Sequence, residues 1–450
     1  MIKYCDVLII GGGITGAGIF RDCALRGLKV VLVEKNDFGC QTTAASTGLI
    51  HGGMRYLTYD AALTEMTCRE AGILARIAPH LLANKEFIFP IFPNEGHSIE
   101  KFEALLELYD KYQKNKFANS HRRLSKKEAL ALEPRFSPNL VGALVLEEYA
   151  TNPAALTLAN ILGGQSAGGE AIAGLEVFEI NRGKDYVSVS AKDRKEREIE
   201  IKARIVVNAA GPWAGEAAKL AGLNSVKIRP TKGVHITVSP SPISRSAICQ
   251  AIDGRYLMLV SENGALRIGT TDDDFYGDLD NLEITRDEVG YLMEAASRTI
   301  PAVKESEIVG GSAGVRPTVY SWGGNEDDLS REYKIVDDGN FVSVIGGKMT
   351  IYRLMAEKTV DLLCDKLSVK QGLCATAEKS LPFVGMDYRG YLKNKYPARE
   401  RNYKIFAADD FISEKKIFWR KMKAKANLAK SFLAHYLDKP FKLLESDYEE

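Results

Sequence analysis

Two histidines and a set of basic residues stand beside tight glycine turns in this chain. His51 lies in Leu49-Ile50-His51-Gly52-Gly53-Met54-Arg55-Tyr56, and His235 enters an alternating stretch in Thr231-Lys232-Gly233-Val234-His235. Either imidazole could accept a hydroxyl proton while a hydride leaves the same carbon, because histidine titrates near neutral pH. Arg55 follows Gly52-Gly53, Arg316 lies in Gly314-Val315-Arg316-Pro317, Lys348 follows Gly346-Gly347, and Arg353 comes soon after. Basic side chains projecting from tight turns pack poorly and bind phosphate or carboxylate well, arginine in bidentate fashion. Any one of them alone reads as a surface charge, and each histidine alone as a hydrogen-bonded core residue. The recurrence beside glycines argues for a shared anionic substrate. His80, His97, His121 and His435 have no such setting.

These residues need a frame, and the chain begins with one. Val7–Ile10 is a continuously apolar run, as a parallel strand buried on both faces requires. Gly11, Gly13 and Gly16 then form G-x-G-x-x-G: one glycine for the bend, one for close approach of a pyrophosphate, one for helix–sheet packing. A helix from Ile14 to about Arg26 would aim its first N–H groups at that pyrophosphate, Ile14 and Thr15 among them. Lys29–Val33 reads as the second strand, and Glu34, with Lys35 beside it, falls where an acid takes ribose hydroxyls. The polar run 39–48 follows, and its Thr42, Thr43, Ser46 and Gly48, with Leu49, are expected to touch the cofactor. Arg204–Asn208 is a second buried strand entering the turn Ala210-Gly211-Pro212-Trp213. Phe341–Ile345 enters a third turn, Gly346-Gly347-Lys348-Met349-Thr350, followed by a helix to about Lys366. Three glycine turns able to converge on one nucleotide favour an embedded flavin over a diffusible nicotinamide. The positive end of the last helix would stabilise negative charge on the reduced ring.

Other stretches suit a cap. Val234–Val238, Tyr256–Val260 and Leu266–Thr270 alternate as antiparallel strands do, and 226–310 as a whole is β-rich. Residues 60–79 read as helix, and Leu124-Ser125-Lys126-Lys127-Glu128 as a helix start. The expected fold class is α/β: a Rossmann-like FAD-binding domain from 1–80, 146–225 and 311–374, a β-rich cap from 81–145 and 226–310, and a short basic helical tail over 375–450.

With 450 residues, 45% of them hydrophobic, a large core is available. Sixty Lys+Arg balance 59 Asp+Glu, which gives no argument for nucleic acid. No apolar run is long enough to span a bilayer, and no signal peptide is expected before the first strand. The seven cysteines contain no C-x-x-C pair, which argues against a metal or iron–sulfur site and suits a reducing cytoplasm. One segment stands apart. Residues 415–430 carry Lys415, Lys416, Arg420, Lys421, Lys423, Lys425 and Lys430 among apolar residues, the pattern of a helix on an anionic membrane surface or of a solvated helix in an appended domain.

The chain resembles the FAD-dependent glycerol-3-phosphate dehydrogenases. The resemblance rests on Ile10–Gly18, Arg21-Asp22 with Ala24–Gly27, Leu49–Leu57, Thr231–His235, Gly314–Pro317, Arg331-Glu332-Tyr333 and Gly346–Arg353, and runs through about residues 1–370. It implies a D-amino-acid-oxidase-like fold and oxidation of sn-glycerol 3-phosphate to dihydroxyacetone phosphate, by hydride transfer to flavin N5. Electrons then pass to a quinone or an electron-transfer partner. By motif it also implies Arg55, Tyr56, His235, Arg316, Arg331 and Lys348 as substrate contacts, with His235 or His51 as base and Arg316 or Lys348 lowering the hydroxyl's pKa. Ser46-Thr47-Gly48 is closer to the anaerobic catalytic branch, but the cysteine-rich domain that usually follows in that branch is not expected here. Rival readings are a same-fold oxidoreductase of a 2-hydroxy acid or amine, an oxygen-using glycerol-3-phosphate oxidase, and a flavin-carrying component of an electron-transfer assembly.

Overall fold

The computed structural model describes residues 2–58, 60–93, 98–320, 333–369 and 372–384. Arg331 and the basic stretch 415–430 lie outside these residues, as does most of the expected tail.

The first strand, Ile2–Ile10, lies between two parallel neighbours, Val30–Glu34 and Glu198–Asn208, and the latter pairs in parallel with Phe341–Gly346. Val7, Leu8 and Ile9 are wholly buried, because both faces of this sheet are covered. One face packs against the helices Ile14–Leu25, Pro153–Ser166 and Tyr352–Leu367. The other meets the helix Ala214–Leu220 and the antiparallel strands Leu175–Arg182 and Val187–Asp193. All the parallel strands end at the same edge, so the turns after Ile10, Asn208 and Gly346 fall together.

The second sheet is mostly antiparallel and contains Leu82–Ile91, Gly142–Thr151, Ile228–Ser239, Ser246–Gln250, Tyr256–Glu262, Ala265–Gly269 and Glu307–Val319. Val234 and Ile236 belong to the core shared with the helix Arg286–Thr299. Side chains alternate along a strand, so His235 points to the opposite face. That face packs against the helix Ile99–Gln113 and Met54 and Leu57.

Capping explains where several helices start. Asp60 accepts from Leu63 N–H (2.9 Å) at the head of Ala61–Ile77. Ser125 with Glu128, and Thr285 with Glu288, form reciprocal boxes that begin Lys126–Leu132 and Arg286–Thr299. The expected helix after Gly347 is present with a one-turn 3₁₀ lead, Met349–Ile351, before Tyr352–Leu367. Among the described residues no two cysteines form a disulfide, and no helix is long and apolar enough to cross a membrane.

Candidate active site

The nucleotide turn is closed by contacts that only glycine permits. Gly11 has φ +108°, and a Cβ at Gly16 would sit 1.9 Å from the Gly11 carbonyl oxygen. Gly13 differs: a Cβ there would meet only Thr43 Oγ1, at 3.3 Å. The missing side chain of the second glycine leaves the backbone at the helix start bare apart from that hydroxyl, which is what the approach of a pyrophosphate needs. The first helix has no side-chain cap from its own N-cap residue, Gly13; Ile14 N–H reaches Thr43 Oγ1 at 3.2 Å. Glu34 accepts Gly12 N–H and Asn36 N–H, both at 2.7 Å. Burial pushes its carboxyl above the usual range, and the two backbone donors oppose that rise. Each oxygen retains a lone pair for a ribose hydroxyl. Lys35 Nζ lies 4.2 Å from the centre of the Trp213 ring and pairs with Asp280 (2.8 Å). The donor set and the open cradle fit the dinucleotide half of FAD.

The run 39–48 crosses from this turn to the second sheet. Its hydroxyls are partly engaged within the protein. Thr42 donates to the Val315 carbonyl and Ser46 to the Thr43 carbonyl, each at 2.7 Å, so their protons are committed to protein. Thr43, as an acceptor, keeps its proton for another partner. Gly48 turns with φ +74°, and its carbonyl accepts Thr151 N–H (2.8 Å). Leu49 pairs with Ala150. On the far side, Ala209 N–H bonds the Ile10 carbonyl (2.9 Å), so Ala210, Gly211 (φ +58°) and Trp213 begin against the nucleotide turn.

The late turn joins the histidine loop. Gly346 and Gly347 have φ near +75° (75° and 74°). Thr350 Oγ1 accepts His51 N–H (3.3 Å) and lies 3.4 Å from the His51 carbonyl. Lys348 Nζ sits 4.0 Å from the centre of the buried Tyr56 ring, a cation–π contact. Arg55 is on the 3₁₀ turn Met54–Thr58 of the same loop. His51, Arg55, Tyr56, Lys348 and Thr350 are therefore brought together from two distant parts of the sequence.

His235 and Arg316 form the facing group. His235 is 3% exposed, with Nε2 2.9 Å from Thr47 Oγ1. Gly269 makes room for its ring: a Cβ there would lie 2.3 Å from His235 Cδ2. Burial, with the charges of Arg267 and Arg316, pushes the imidazole pKa down to about 3, so it is neutral at physiological pH. Arg316 lies across from Thr231 on the neighbouring strand, and its Nη2 occupies the space left by Gly233. It donates to Asp272 Oδ1 (2.9 Å), Thr270 Oγ1 (3.1 Å) and the Thr271 carbonyl (3.2 Å).

Arg353 does not belong with the other basic residues. It is buried and bonded through Nε and Nη2 to Glu70 (2.7 and 2.6 Å), with Glu357 and Thr376 on Nη1. Its role is to hold the last helix to Ala61–Ile77. Thr47, Thr270 and Asp272, which hold His235 and Arg316, were missed in the sequence. The polar run Thr270-Thr271-Asp272 at the end of an alternating stretch was the available signal.

A nucleotide cradle, a second sheet bonded to the run that leaves it, and a buried imidazole beside Arg267 and Arg316 are the frame of a flavin oxidoreductase. The chain belongs to the FAD dependent oxidoreductase family, whose model matches residues 6–345. It is 34% identical over 408 residues to the aerobic glycerol-3-phosphate dehydrogenase of Staphylococcus aureus (strain MRSA252), covering 86% of this chain and 72% of that protein. It is 35% identical over 393 residues to a component of the anaerobic glycerol-3-phosphate dehydrogenase of Haemophilus influenzae, covering 84% of this chain and 67% of that protein. Among solved structures it resembles the glycerol-3-phosphate dehydrogenase from Bacillus halodurans complexed with FAD, with a TM-score of 0.67, 31% identity, and coverage of 83% of this chain and 67% of that one. The aerobic and anaerobic relatives are matched almost equally, so the Ser46-Thr47-Gly48 departure does not set the overall similarity.

Proposed function

We propose that this protein oxidises sn-glycerol 3-phosphate to dihydroxyacetone phosphate and passes the electrons to a quinone or a protein partner. The observation that carries the reading is identity of 34–35%, over more than four fifths of the chain, to proteins named for that substrate. The site chemistry supports it. FAD, when bound, supplies the two-electron acceptor for the hydride on C2. His235, held neutral, takes the proton of the C2 hydroxyl, with His51 as the competing base. Arg316 and Lys348, with Arg55 and Arg331, bind the phosphate, and their positive charge favours the developing alkoxide. Arg316 exchanges part of its contact with Asp272 for the substrate.

Anaerobic reduction of the bound flavin by glycerol 3-phosphate, compared with glycerol and a 2-hydroxy acid, tests the substrate. Rapid reduction by glycerol 3-phosphate alone is expected; preference for the hydroxy acid overturns the reading. Arg316→Ala should weaken glycerol 3-phosphate by on the order of 1.5–3 kcal/mol, the worth of a hydrogen bond to a charged group, and glycerol far less. Steady-state assays with dye, quinone and oxygen separate dehydrogenase from oxidase. Residues 415–430 extend the proposal to an anionic membrane surface, each Lys or Arg contributing about 1 kcal/mol. Sedimentation with anionic liposomes should be strong at low salt and fade as salt rises; binding indifferent to salt removes that part.

A further inference from the structure

Beneath the loop that carries His51, Arg55 and Tyr56 lies a buried ion pair that the proposed chemistry does not use. Lys116 is 0% exposed, Tyr109 0% and Glu148 5%. Lys116 Nζ donates to Glu148 Oε2 and to the Glu147 carbonyl (2.7 Å). Tyr109 OH donates to Glu148 Oε1 at 2.7 Å. Glu148 Oε2 also accepts Gly52 N–H, at 3.2 Å. Gly52 rests directly on the group: a Cβ there would lie 2.1 Å from Tyr109 Oη and 2.4 Å from Cys68 Sγ. Three elements supply the members, the helix Ile99–Gln113, the turn Lys114–Lys116 and the strand Gly142–Thr151. The strand also pairs with the start of the loop, Ile50 opposite Tyr149, and Tyr149 OH donates to the Lys116 carbonyl (2.6 Å).

A buried ion pair is a weak source of stability, since apolar residues of the same volume often serve as well. What an apolar replacement cannot supply is a fixed, charged acceptor for one backbone amide. That amide sits between His51 and Gly53, and Gly53 in turn packs on Tyr56 and lies near Lys348 Nζ. We infer that Lys116, Glu148 and Tyr109 are positioning residues: they fix the Gly52 peptide and thereby set His51, Arg55 and Tyr56 against Lys348. The inference rests on the proposed substrate only for the identity of what those residues bind.

The test uses the full-length holoprotein and three variants: Glu148→Gln, Tyr109→Phe and the double Lys116→Met/Glu148→Met. Hydrogen exchange over residues 51–57, FAD content, melting temperature and flavin reduction by glycerol 3-phosphate are read on each. Glu148→Gln replaces the charged acceptor of Gly52 N–H by a neutral amide oxygen, and Tyr109 OH must turn from donating to accepting from the amide NH2. Exchange over 51–57 should rise at least about tenfold and KM for glycerol 3-phosphate by a similar factor, with FAD content unchanged. Tyr109→Phe should give a smaller change of the same kind. The double variant leaves no unpaired charge, so it should melt above Glu148→Gln yet keep the fast exchange and raised KM, which separates positioning from ion-pair stability. If Glu148→Gln does not fold, the other two decide. Wild-type exchange over 51–57 in the double variant overturns the inference. If exchange responds as expected but the wild-type flavin is not reduced by glycerol 3-phosphate, the substrate proposal fails and the positioning role stands.

Discussion

At the scale of residues, His235 links the site to stability. Its pKa is about 3 in the folded chain against an ordinary value of 6.5, so the unfolded chain binds more protons between those limits. Stability is then fully present above about pH 6.5 and is lost as the pH falls toward 3. The loss from this one group between pH 7 and 5 is on the order of 2 kcal/mol. Denaturant unfolding at the two pH values should show a correspondingly shallower fall in His235→Gln; equal slopes would mean the ring is protonated in the folded protein. Over the same range, flavin reduction should lack the usual histidine titration. The glycines separate in an analogous way. Gly13→Ala should fold without cofactor and retain little FAD, because its Cβ would meet a single hydroxyl, Thr43 Oγ1 at 3.3 Å, that need give by only a few tenths of an ångström, whereas Gly16→Ala should lower the melting temperature of the apoprotein, because its Cβ would strike the Gly11 carbonyl. Both glycines were legible from spacing. Thr47 and Asp272 were not: their partners are 188 and 44 residues away in sequence, and no local pattern records such a contact.

At the scale of elements, the boundaries that sequence marks well are those set by local chemistry. The Ser125–Glu128 box starts its helix where expected, and the strand before Gly11 ends where expected. Elements whose pattern is set by distant packing were less legible. The helix Pro153–Ser166 is apolar around most of its circumference, because it lies between the first helix and other buried segments, and so carries little amphipathic signal. The 10-residue strand Leu82–Ile91 carries Asn84, Lys85 and Glu86 in its partly exposed first half and is buried from Phe87 on. Arg353 teaches the same lesson in reverse. Its neighbourhood to Gly346-Gly347 suggests an anion ligand, but it stands one helical position past the turn and faces Glu70. Burial pushes that carboxyl up, and Arg353 acts against the rise. Arg353→Ala would leave Glu70 buried without its charge partner, at a cost of about 3–5 kcal/mol. Thermal and denaturant melts should register that loss, while the preference for glycerol 3-phosphate over glycerol stays as in the wild type. A selective loss of glycerol 3-phosphate would return Arg353 to the binding group.

At the scale of the whole molecule, the chain passes between the two sheets repeatedly. It leaves the parallel sheet after Glu34, returns at Glu170, leaves again after Asn208 and returns at Tyr333. The second sheet is therefore built from segments whose ends are all anchored in the first. The turns at 11–16, 39–48, 209–213 and 346–350 lie at this junction, and the 39–48 run is bonded to the first helix through Thr43 and to the second sheet through Thr42. A dinucleotide bound there would join the sheets to each other as well as occupying a site. Ligand that binds only the folded state adds about 2.7 kcal/mol when its free concentration is a hundredfold above its dissociation constant. Removing FAD should lower the melting temperature, and titrating it back should raise the temperature with the logarithm of free FAD. Because the segments interleave, hydrogen-exchange protection of Val206–Asn208 and of Val234–Ile236 should be lost in the same transition with or without the cofactor. Two separate transitions on FAD removal, with the second sheet surviving the first, would mean that the cap folds without the frame and that the crossings do not couple them.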